Sequence, residues 1–237
     1  MRTCALIPTY NHYAALPGLV TALMAHVDGV VVVDDGSAQP TRDALEQLRR
    51  EYGVEIVRRE MNGGKGAAVK DGLLRARELG YSHALQVDAD GQHDLGAAPR
   101  MLEASRTEPT AAVMGAPEFD DSAPKGRLHA RRICQFWVNV ETGGQKISDP
   151  MCGFRVYPIE AALATRTAGD RMEFDPEIAV RLVWAGAPVV NVPVLVRYPE
   201  GGTSNFRLLE DNLRISWMHS KLMTRLVLRW IFGRWMR

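Results

Sequence analysis

The amino-acid sequence predicts an α/β fold, in which a mostly parallel sheet is flanked by helices. Two observations predict it. Short runs rich in β-branched residues alternate with segments of helical periodicity through the first half of the chain. One of these runs, GVVVVDDG at 29–36, is so apolar that both of its faces must be covered. Buried strands that alternate with helices are typical of a parallel sheet whose crossover helices cover its faces.

The first half of the chain contains four predicted strand–helix pairs. The strands are TCALIPTY, GVVVVDDG, VEIVRRE and HALQVDADG, which occupy 3–10, 29–36, 54–60 and 83–91. The helices that follow them are predicted over 14–26, 40–52, 63–80 and 95–106. Gly80 closes the third of these helices, as glycine commonly does.

The second half is less regular. We predict a loop, a helix, a strand, a helix and a strand, in that order, over 117–126, 127–143, 151–158, 175–186 and 189–198. The sequence has no internal repeat, low-complexity tract or linker. We therefore expect one domain over 1–206, followed by a basic amphipathic helical segment over 207–237.

The C-terminal segment has no acidic residue after Asp211. Lys221, Arg225 and Arg229 recur every four residues, so they would form one stripe on a helix, with apolar residues on the other side. Such a helix suits the surface of an anionic membrane. It equally suits docking of the apolar face on its own domain, and both interpretations remain open.

Composition argues against several classes of protein. The 237 residues contain 29 Lys+Arg and 28 Asp+Glu, so net charge gives no reason to expect a nucleic-acid partner. Cys4, Cys134 and Cys152 are far apart and lack CxxC spacing, unlike a disulfide framework or a zinc site. The N-terminal apolar stretch is too short for a signal peptide, and no run approaches the ~18 apolar residues of a membrane span. We expect a cytoplasmic protein, peripheral on the inner face of the membrane if its C-terminal helix binds lipid.

Polar side chains gather where three of the predicted strands end. They are Thr9, Tyr10 and Asn11 after the first strand, Asp34 and Asp35 after the second, and Asp88 and Asp90 after the fourth. Ligands of open parallel sheets bind beyond the carboxyl ends of the strands. The sequence therefore predicts a binding site at this edge.

The stretch ALQVDADGQHDL at 84–95 ends an apolar run in closely spaced carboxylates. Asp88 and Asp90 repel each other unless a cation or a ring of donors lies between them. Gln92 adds a neutral oxygen, and Mg²⁺ and Mn²⁺ prefer oxygen ligands. A metal site and a solvated acidic turn are the two alternatives.

Three glycines, Gly63, Gly64 and Gly66, open the third predicted helix. We expect free backbone N–H groups at an electropositive helix end, with Lys65 as an added cation near a phosphate. The alternative is a tight turn with a solvated lysine. A G-x-x-x-x-G-K phosphate loop and a Rossmann G-x-G-x-x-G are both missing, which argues against a nicotinamide enzyme.

Five segments together carry a family resemblance: IPTYN, VVDDGS, NGGKGAAVKDGL, DADGQH and DPMCGFRVY. As a set they resemble the inverting glycosyltransferases of family 2, most of all the polyprenyl-phosphate (dolichol-phosphate mannosyltransferase-like) branch. The resemblance implies a GT-A type fold and a UDP- or GDP-sugar donor. It also implies Mg²⁺ or Mn²⁺ as cofactor and a polyprenyl phosphate or related lipid-linked acceptor.

The resemblance also implies roles for individual residues. The nucleotide-sugar site would comprise Pro8, Tyr10, Asn11, Asp34, Asp35, Lys65, Asp88, Ala89 and Arg197. The metal site would comprise Asp88, Asp90 and Gln92, with Asp90 and Gln92 favoured as direct ligands and Asp90 catalytic through the ion. A segment containing Arg197, Ser204 and Arg207 would close over the donor, with Gly201 and Gly202 as its hinge.

On the acceptor side, Arg127 and Arg131 are four residues apart and share a helix face. By resemblance they would hold a lipid phosphate, although a solvated basic face is the alternative. A phosphate acceptor needs no strong general base, whereas a hydroxyl acceptor does. Asp149, Glu173 and Asp175 are the predicted bases in that case, and Asp175 is also a possible helix cap.

Two alternative functions remain open. One is glycosyl transfer to a hydroxyl of a lipid or natural-product intermediate. The other is an inactive nucleotide-binding module at the membrane surface, since a fold does not guarantee an activity. The sequence does not encode the sugar, the choice between UDP and GDP, or the oligomeric state.

Overall fold

The computed structural model describes residues 1–120, 122–144, 147–198 and 206–232, except the side chains of Lys125 and Phe232. Seven strands form one sheet: β1 (Thr3–Thr9), β2 (Gly29–Asp35), β3 (Glu55–Arg59), β4 (His83–Gln86), β5 (Ala112–Phe119), β6 (Arg155–Pro158) and β7 (Val189–Val196). Their order across the sheet is β3-β2-β1-β4-β6-β5-β7. All neighbouring pairs are parallel except those of β6, which runs antiparallel to β4 and β5. The predicted mostly parallel sheet is confirmed.

The described helices are α1 (Leu16–Met24), α2 (Gln39–Tyr52), α3 (Lys65–Glu78), α4 (Ala98–Thr107), α5 (Lys125–Glu141), α6 (Ile159–Ala164), α7 (Phe174–Trp184) and α8 (Leu208–Phe232). A short 3₁₀ turn precedes α4. All but the short α6 correspond to segments that the sequence predicts as helical.

The prediction of a loop over 117–126 is wrong at both ends, because β5 extends through Phe119 and α5 begins at Lys125. Gly115 and Pro117 conceal this strand in the sequence, since both residues are depleted in strands. The structure accommodates Pro117 because β5 pairs with β6 only at Val113 and Met114. At Pro117, β7 is the only strand that pairs with β5 among the described residues, so the proline lies at an edge.

The core lies on both sides of the sheet. Cys4, Leu6 and Val33 face a cluster that includes side chains of α3, α7 and α8. Ala5 and Ile7 face a second cluster that includes side chains of α1, α2 and α4. This alternation is the period of two expected for a strand that is buried on both faces.

Helix α8 docks on its own domain through one face. Ile215, Met218 and Leu222 are buried in the cluster that also contains side chains of α7. Arg229 of the predicted basic stripe lies over the ring of Trp184 at 5.2 Å, while Lys221 and Arg225 are exposed. Within the described residues, no helix is long and apolar enough to cross a membrane.

Candidate active site

A cavity of about 450 Å³ opens at the carboxyl ends of β1, β2 and β4. Pro8 and Tyr10 line it from the end of β1, Asp35 lines it from β2, and Asp88 and Asp90 line it from the loop after β4. The volume lies within the range of small-molecule sites. The strand ends that the sequence singles out therefore meet at one cavity.

Asp35 fastens the glycine-rich loop to the end of β2. Its carboxylate accepts hydrogen bonds from the backbone N–H groups of Gly63 and Gly64, at 2.9 and 2.8 Å, and pairs with Arg59 at 2.9 Å. Burial raises the pKa of Asp35 in spite of these three partners. The expectation of free N–H groups is wrong for Gly63 and Gly64, because both donate to Asp35.

Lys65 lines the cavity with a largely buried, positively charged side chain. Its ammonium group lies 2.7 Å from Asp88 Oδ2 and 2.6 Å from Asp175 Oδ2. Burial by itself would lower the pKa of Lys65, but the attraction of the two carboxylates raises it above the ordinary value. The solvated-lysine alternative is therefore wrong. One side chain joins the first turn of α3 to the loop after β4 and to α7.

The two carboxylates of DADGQH lie in different environments. Burial opposes ionisation of Asp88, but Lys65, His93 and Arg155 together hold its pKa below the ordinary value. Burial and the charge of Asp88 instead raise the pKa of Asp90. A cation near Asp90 would offset both of these effects.

The donor atoms at this point fit a divalent ion that is shared with a bound diphosphate. Within the described residues, no group of three His, Cys, Asp or Glu side chains is assembled for a metal. Asp88 Oδ1 is buried and has no hydrogen-bond partner among those residues, and Asp90 and Gln92 line the same cavity. Mg²⁺ is commonly held by one or two carboxylates together with substrate phosphates. Asp90, Asp88 Oδ1 and Gln92 could supply the protein's part of such a site.

The loop after β4 is braced by the end of β7. The backbone N–H of Arg197 donates to the carbonyl of Gln92 at 2.9 Å, and His93 forms a bridge with Val196. The side chain of Arg197 is exposed and does not line the cavity. His93 does line it, with its ring 5.5 Å from that of Phe154.

Asn11 and Asp34 do not line the cavity, although the resemblance implies donor binding for both. Asn11 Oδ1 accepts from the Ala38 N–H at 2.8 Å. Asp34 Oδ1 accepts from the Ser37 N–H at 2.9 Å, and its other oxygen lies 3.3 Å from Arg58. Both side chains hold the turns that follow β1 and β2.

Arg127 and Arg131 line the cavity from the first turns of α5. Arg131 pairs with Asp149 at 2.6 Å and lies over the ring of Phe119, and Arg127 lies over the ring of Tyr198. Burial would lower the pKa of Arg131, but Asp149 raises it above the ordinary value. Asp149 does not line the cavity.

The structure separates the other two predicted bases. Asp175 lines the cavity and is held by Lys65, whereas Glu173 is buried outside the cavity lining and accepts from the N–H groups of Asp170 and Arg171. The capping alternative for Asp175 is wrong, because α7 begins at Phe174 and Asp175 lies inside its first turn.

Three charged residues of the described cavity lining were indicated weakly or not at all by the sequence. Arg171 comes from the segment before α7 and donates to Asn62 Oδ1 at 3.2 Å. Arg207 and Asp211 come from the start of α8, where the Arg207 N–H donates to the Asp211 carboxylate. Of these three residues, only Arg207 belongs to a segment for which the family resemblance implied a role. Gly201, Gly202 and Ser204 of that motif lie outside the described residues.

Gly153 is expected to tolerate no side chain, because a Cβ atom there would overlap the carboxylate of Asp88. Gly153→Ala should destabilise the protein by about 1–3 kcal/mol, the usual cost of overpacking. Urea unfolding monitored by tryptophan fluorescence measures this cost.

Gly18→Ala provides the matched control, since a Cβ in α1 meets nothing within 4 Å. That substitution should be neutral or stabilising by up to ~1 kcal/mol, because alanine favours a helix. Equal unfolding midpoints for the two variants would contradict the predicted overlap.

Comparison with known proteins identifies the family. The model of the family "Glycosyl transferase family 2" matches residues 4–163. An undecaprenyl-phosphate mannosyltransferase of Micrococcus luteus is 28% identical over 215 residues, which are 86% of this chain and 87% of that protein. A UDP-N-acetylglucosamine–dolichyl-phosphate N-acetylglucosaminyltransferase of Methanococcus voltae is 25% identical, over 82% of this chain and 85% of that protein.

Solved structures agree on the fold. Glucosyl-3-phosphoglycerate synthase of Mycobacterium tuberculosis, in complex with Mn²⁺, UDP and phosphoglyceric acid, matches with a TM-score of 0.71 and 14% identity. The match covers 95% of this chain and 78% of that one. The predicted GT-A type fold is confirmed, and so is the resemblance to the polyprenyl-phosphate branch. The chain belongs to glycosyltransferase family 2 and is a glycosyltransferase.

Proposed function

We propose that the protein transfers a sugar, with inversion, from a UDP- or GDP-sugar to the phosphate of a polyprenyl phosphate or a related lipid-linked acceptor. The observation that carries this proposal is that two of the predicted bases are already paired with cations. Asp149 is paired with Arg131 at 2.6 Å, and Asp175 is paired with Lys65 at 2.6 Å. A hydroxyl acceptor needs a carboxylate that is able to take its proton, whereas a phosphate is already an anion.

The cations of the cavity support the same acceptor. Arg127, Arg131, Arg171 and Arg207 all line it, and guanidinium groups suit bidentate binding of phosphate. Arg131 donates to Asp149 through Nη1, and its other N–H groups make no hydrogen bond to the described residues, which leaves them for a second anion. The names of the relatives in Micrococcus luteus and Methanococcus voltae both specify a lipid phosphate.

On the donor side, we assign the nucleoside to the wall formed by Pro8, Tyr10, Asp35 and Ala89. Asn11 and Asp34 would act indirectly, by holding the turns behind that wall. Asp90, Gln92 and Asp88 Oδ1 would hold Mg²⁺ or Mn²⁺ against the diphosphate. The ion, when bound, supplies positive charge to the leaving group.

Lys65 would fix Asp88 and Asp175 beneath the reacting sugar, because its ammonium group bonds to both carboxylates. Arg127 and Arg131 would hold the acceptor phosphate. One phosphate oxygen would attack the anomeric carbon as the bond from that carbon to the nucleoside diphosphate breaks, which inverts the centre and releases the diphosphate. Positioning supplies a large part of the rate.

Thermal stabilisation by UDP, GDP and their sugars, with and without Mn²⁺, tests the donor side. A ligand at a hundred times its Kd stabilises the folded state by ~2.7 kcal/mol. We expect a shift with one nucleotide class, larger with Mn²⁺ than without it. Absence of a shift with every nucleotide would overturn the donor assignment, whereas a shift without any transfer would favour the inactive nucleotide-binding module.

The acceptor is tested with a polyprenyl phosphate and the polyprenol of the same chain length. We expect release of nucleoside diphosphate and a labelled lipid product with the phosphate only. Transfer to the alcohol, with none to the phosphate, would overturn the acceptor assignment and favour the hydroxyl alternative.

A further inference from the structure

Helix α5 carries an apolar face that its own domain leaves uncovered. Ile133, Phe136, Trp137 and Val140 are 50%, 60%, 39% and 39% exposed. Their spacing of three, four and seven residues puts them on one side of the helix. The rings of Phe136 and Trp137 contact each other edge to face at 5.4 Å. The opposite side of α5, with Cys134 and Val138, is buried in the core.

Helix α8 packs beside α5 and carries a second such face. His219 of α8 bonds to Glu141 at 2.8 Å and contacts Cys134 at 3.5 Å, so the two helices are joined along their buried sides. Leu213 and Trp217 are exposed on the side of α8 away from its buried residues. Two neighbouring helices therefore both present large apolar side chains to the solvent.

Charge distinguishes between the kinds of surface that could cover these side chains. The only acidic residue of α5 is Glu141, which is buried, and α8 has acidic residues only in its first turn. Arg132, Lys221 and Arg225 are exposed, and the described residues offer none of them an ion pair. Apolar and tryptophan side chains flanked by unpaired cations suit an anionic lipid surface. A second copy of the chain would bring like charges together instead.

Helices α5 and α8 both reach the cavity at their N-terminal ends. The cavity is lined from the first turns of α5 by Gly126, Arg127, Ala130 and Arg131. It is lined from the first turn of α8 by Leu208 and Asp211, and by Arg207 just before that helix. Leu208 is also exposed to solvent. A lipid whose phosphate lies at these arginines could keep its chain in a bilayer that contacts α5.

We infer that Ile133, Phe136, Trp137 and Val140 form a membrane-docking face, which binds an anionic leaflet and presents the cavity to the phosphate of a lipid acceptor. This inference rests on the proposed function for the acceptor, but docking itself does not depend on catalysis. It assigns to α5 a lipid contact that the sequence pattern indicated only for the C-terminal helix.

Sedimentation with vesicles of phosphatidylcholine, with and without about one third phosphatidylglycerol, tests the docking face. The double variant Phe136→Ser/Trp137→Ser should bind the anionic vesicles on the order of tenfold more weakly than the wild type, since it loses two aromatic anchors. Tyr52→Ser is the matched control, because Tyr52 is 39% exposed on α2, which packs on the other face of the sheet. Unchanged vesicle binding by the double variant would overturn the inference.

Activity assays separate this inference from the proposed function. With a water-soluble short-chain polyprenyl phosphate, the double variant should match the wild type. With a long-chain acceptor in vesicles, it should lose activity in proportion to its lost binding. If the wild type transfers to neither acceptor, the proposed function fails whatever the vesicles show. If sedimentation velocity shows that the double variant dissociates a dimer and vesicle binding is unchanged, a second copy covers the face and the inference is wrong.

Discussion

Replacing Asp90 with asparagine is expected to lower kcat/KM for glycosyl transfer on the order of 10³-fold, because several kcal/mol of leaving-group stabilisation would be lost. Asp90 lines the cavity and is half-buried, and desolvation together with the charge of Asp88 raises its pKa. Asparagine keeps the size of the side chain but removes the charge that would attract a cation. Release of nucleoside diphosphate at saturating Mn²⁺ measures the loss.

Asp94→Asn is the matched control for this substitution. Asp94 lies four residues further along the same loop, is exposed, and accepts from the Gly96 N–H at 2.9 Å through one oxygen. Asparagine retains that acceptor, so we expect activity close to that of the wild type. Similar losses in both variants would show that the loop, and not a cation at Asp90, accounts for the effect.

The sequence predicts that the ends of the strands form the site, but it does not predict which of two neighbouring residues lines the cavity. Asp34 and Asp35 are adjacent in β2, so their side chains point to opposite faces of the sheet. Only Asp35 lines the cavity, while Asp34 holds the following turn. The pattern of a strand followed by two carboxylates does not reveal which face the ligand will occupy.

Contacts between residues far apart in the chain could not be predicted from the sequence either. Lys65 and Asp175 are 110 residues apart, and only the packing of α3 against α7 brings them together. Arg171 has no motif around it and reaches the cavity from the segment before α7. Strand β5 was missed for a local reason, since Pro117 is compatible with a strand only where one neighbour is absent.

Replacing Arg155 with methionine is expected to destabilise the protein by about 3–5 kcal/mol, because three carbonyl oxygens lose their donor and each unsatisfied buried acceptor costs ~1–3 kcal/mol. Arg155 is fully buried. It donates to the carbonyl oxygens of Cys152 and Asp175, at 2.6 and 2.7 Å, and also to that of Pro150. Methionine fills a similar volume but leaves all three carbonyls without this donor, and an unsatisfied buried acceptor is costly.

Urea unfolding of Arg155→Met against Arg50→Met tests this expectation. Arg50 is exposed on α2, so its replacement should change the free energy of unfolding by less than ~0.5 kcal/mol. Arg155→Lys should recover only part of the loss, because an ammonium group cannot reproduce the planar fork of donors. Full recovery by lysine would mean that charge alone matters, and a midpoint equal to that of Arg50→Met would contradict the role of Arg155 altogether.

The hydrogen bonds of Arg155 also connect to the active site, so its replacement should affect catalysis as well as stability. Arg155 joins the segment around Pro150 and Cys152 to Asp175, and Asp175 in turn is bonded to Lys65. Lys65 holds Asp88, against which Gly153 is packed without room for a side chain. Arg155→Met should therefore lower kcat at temperatures where the variant is still folded, with a smaller effect on KM for the donor. A folded Arg155→Met enzyme with wild-type kcat would show that the carboxylates of the cavity hold their positions without this arginine.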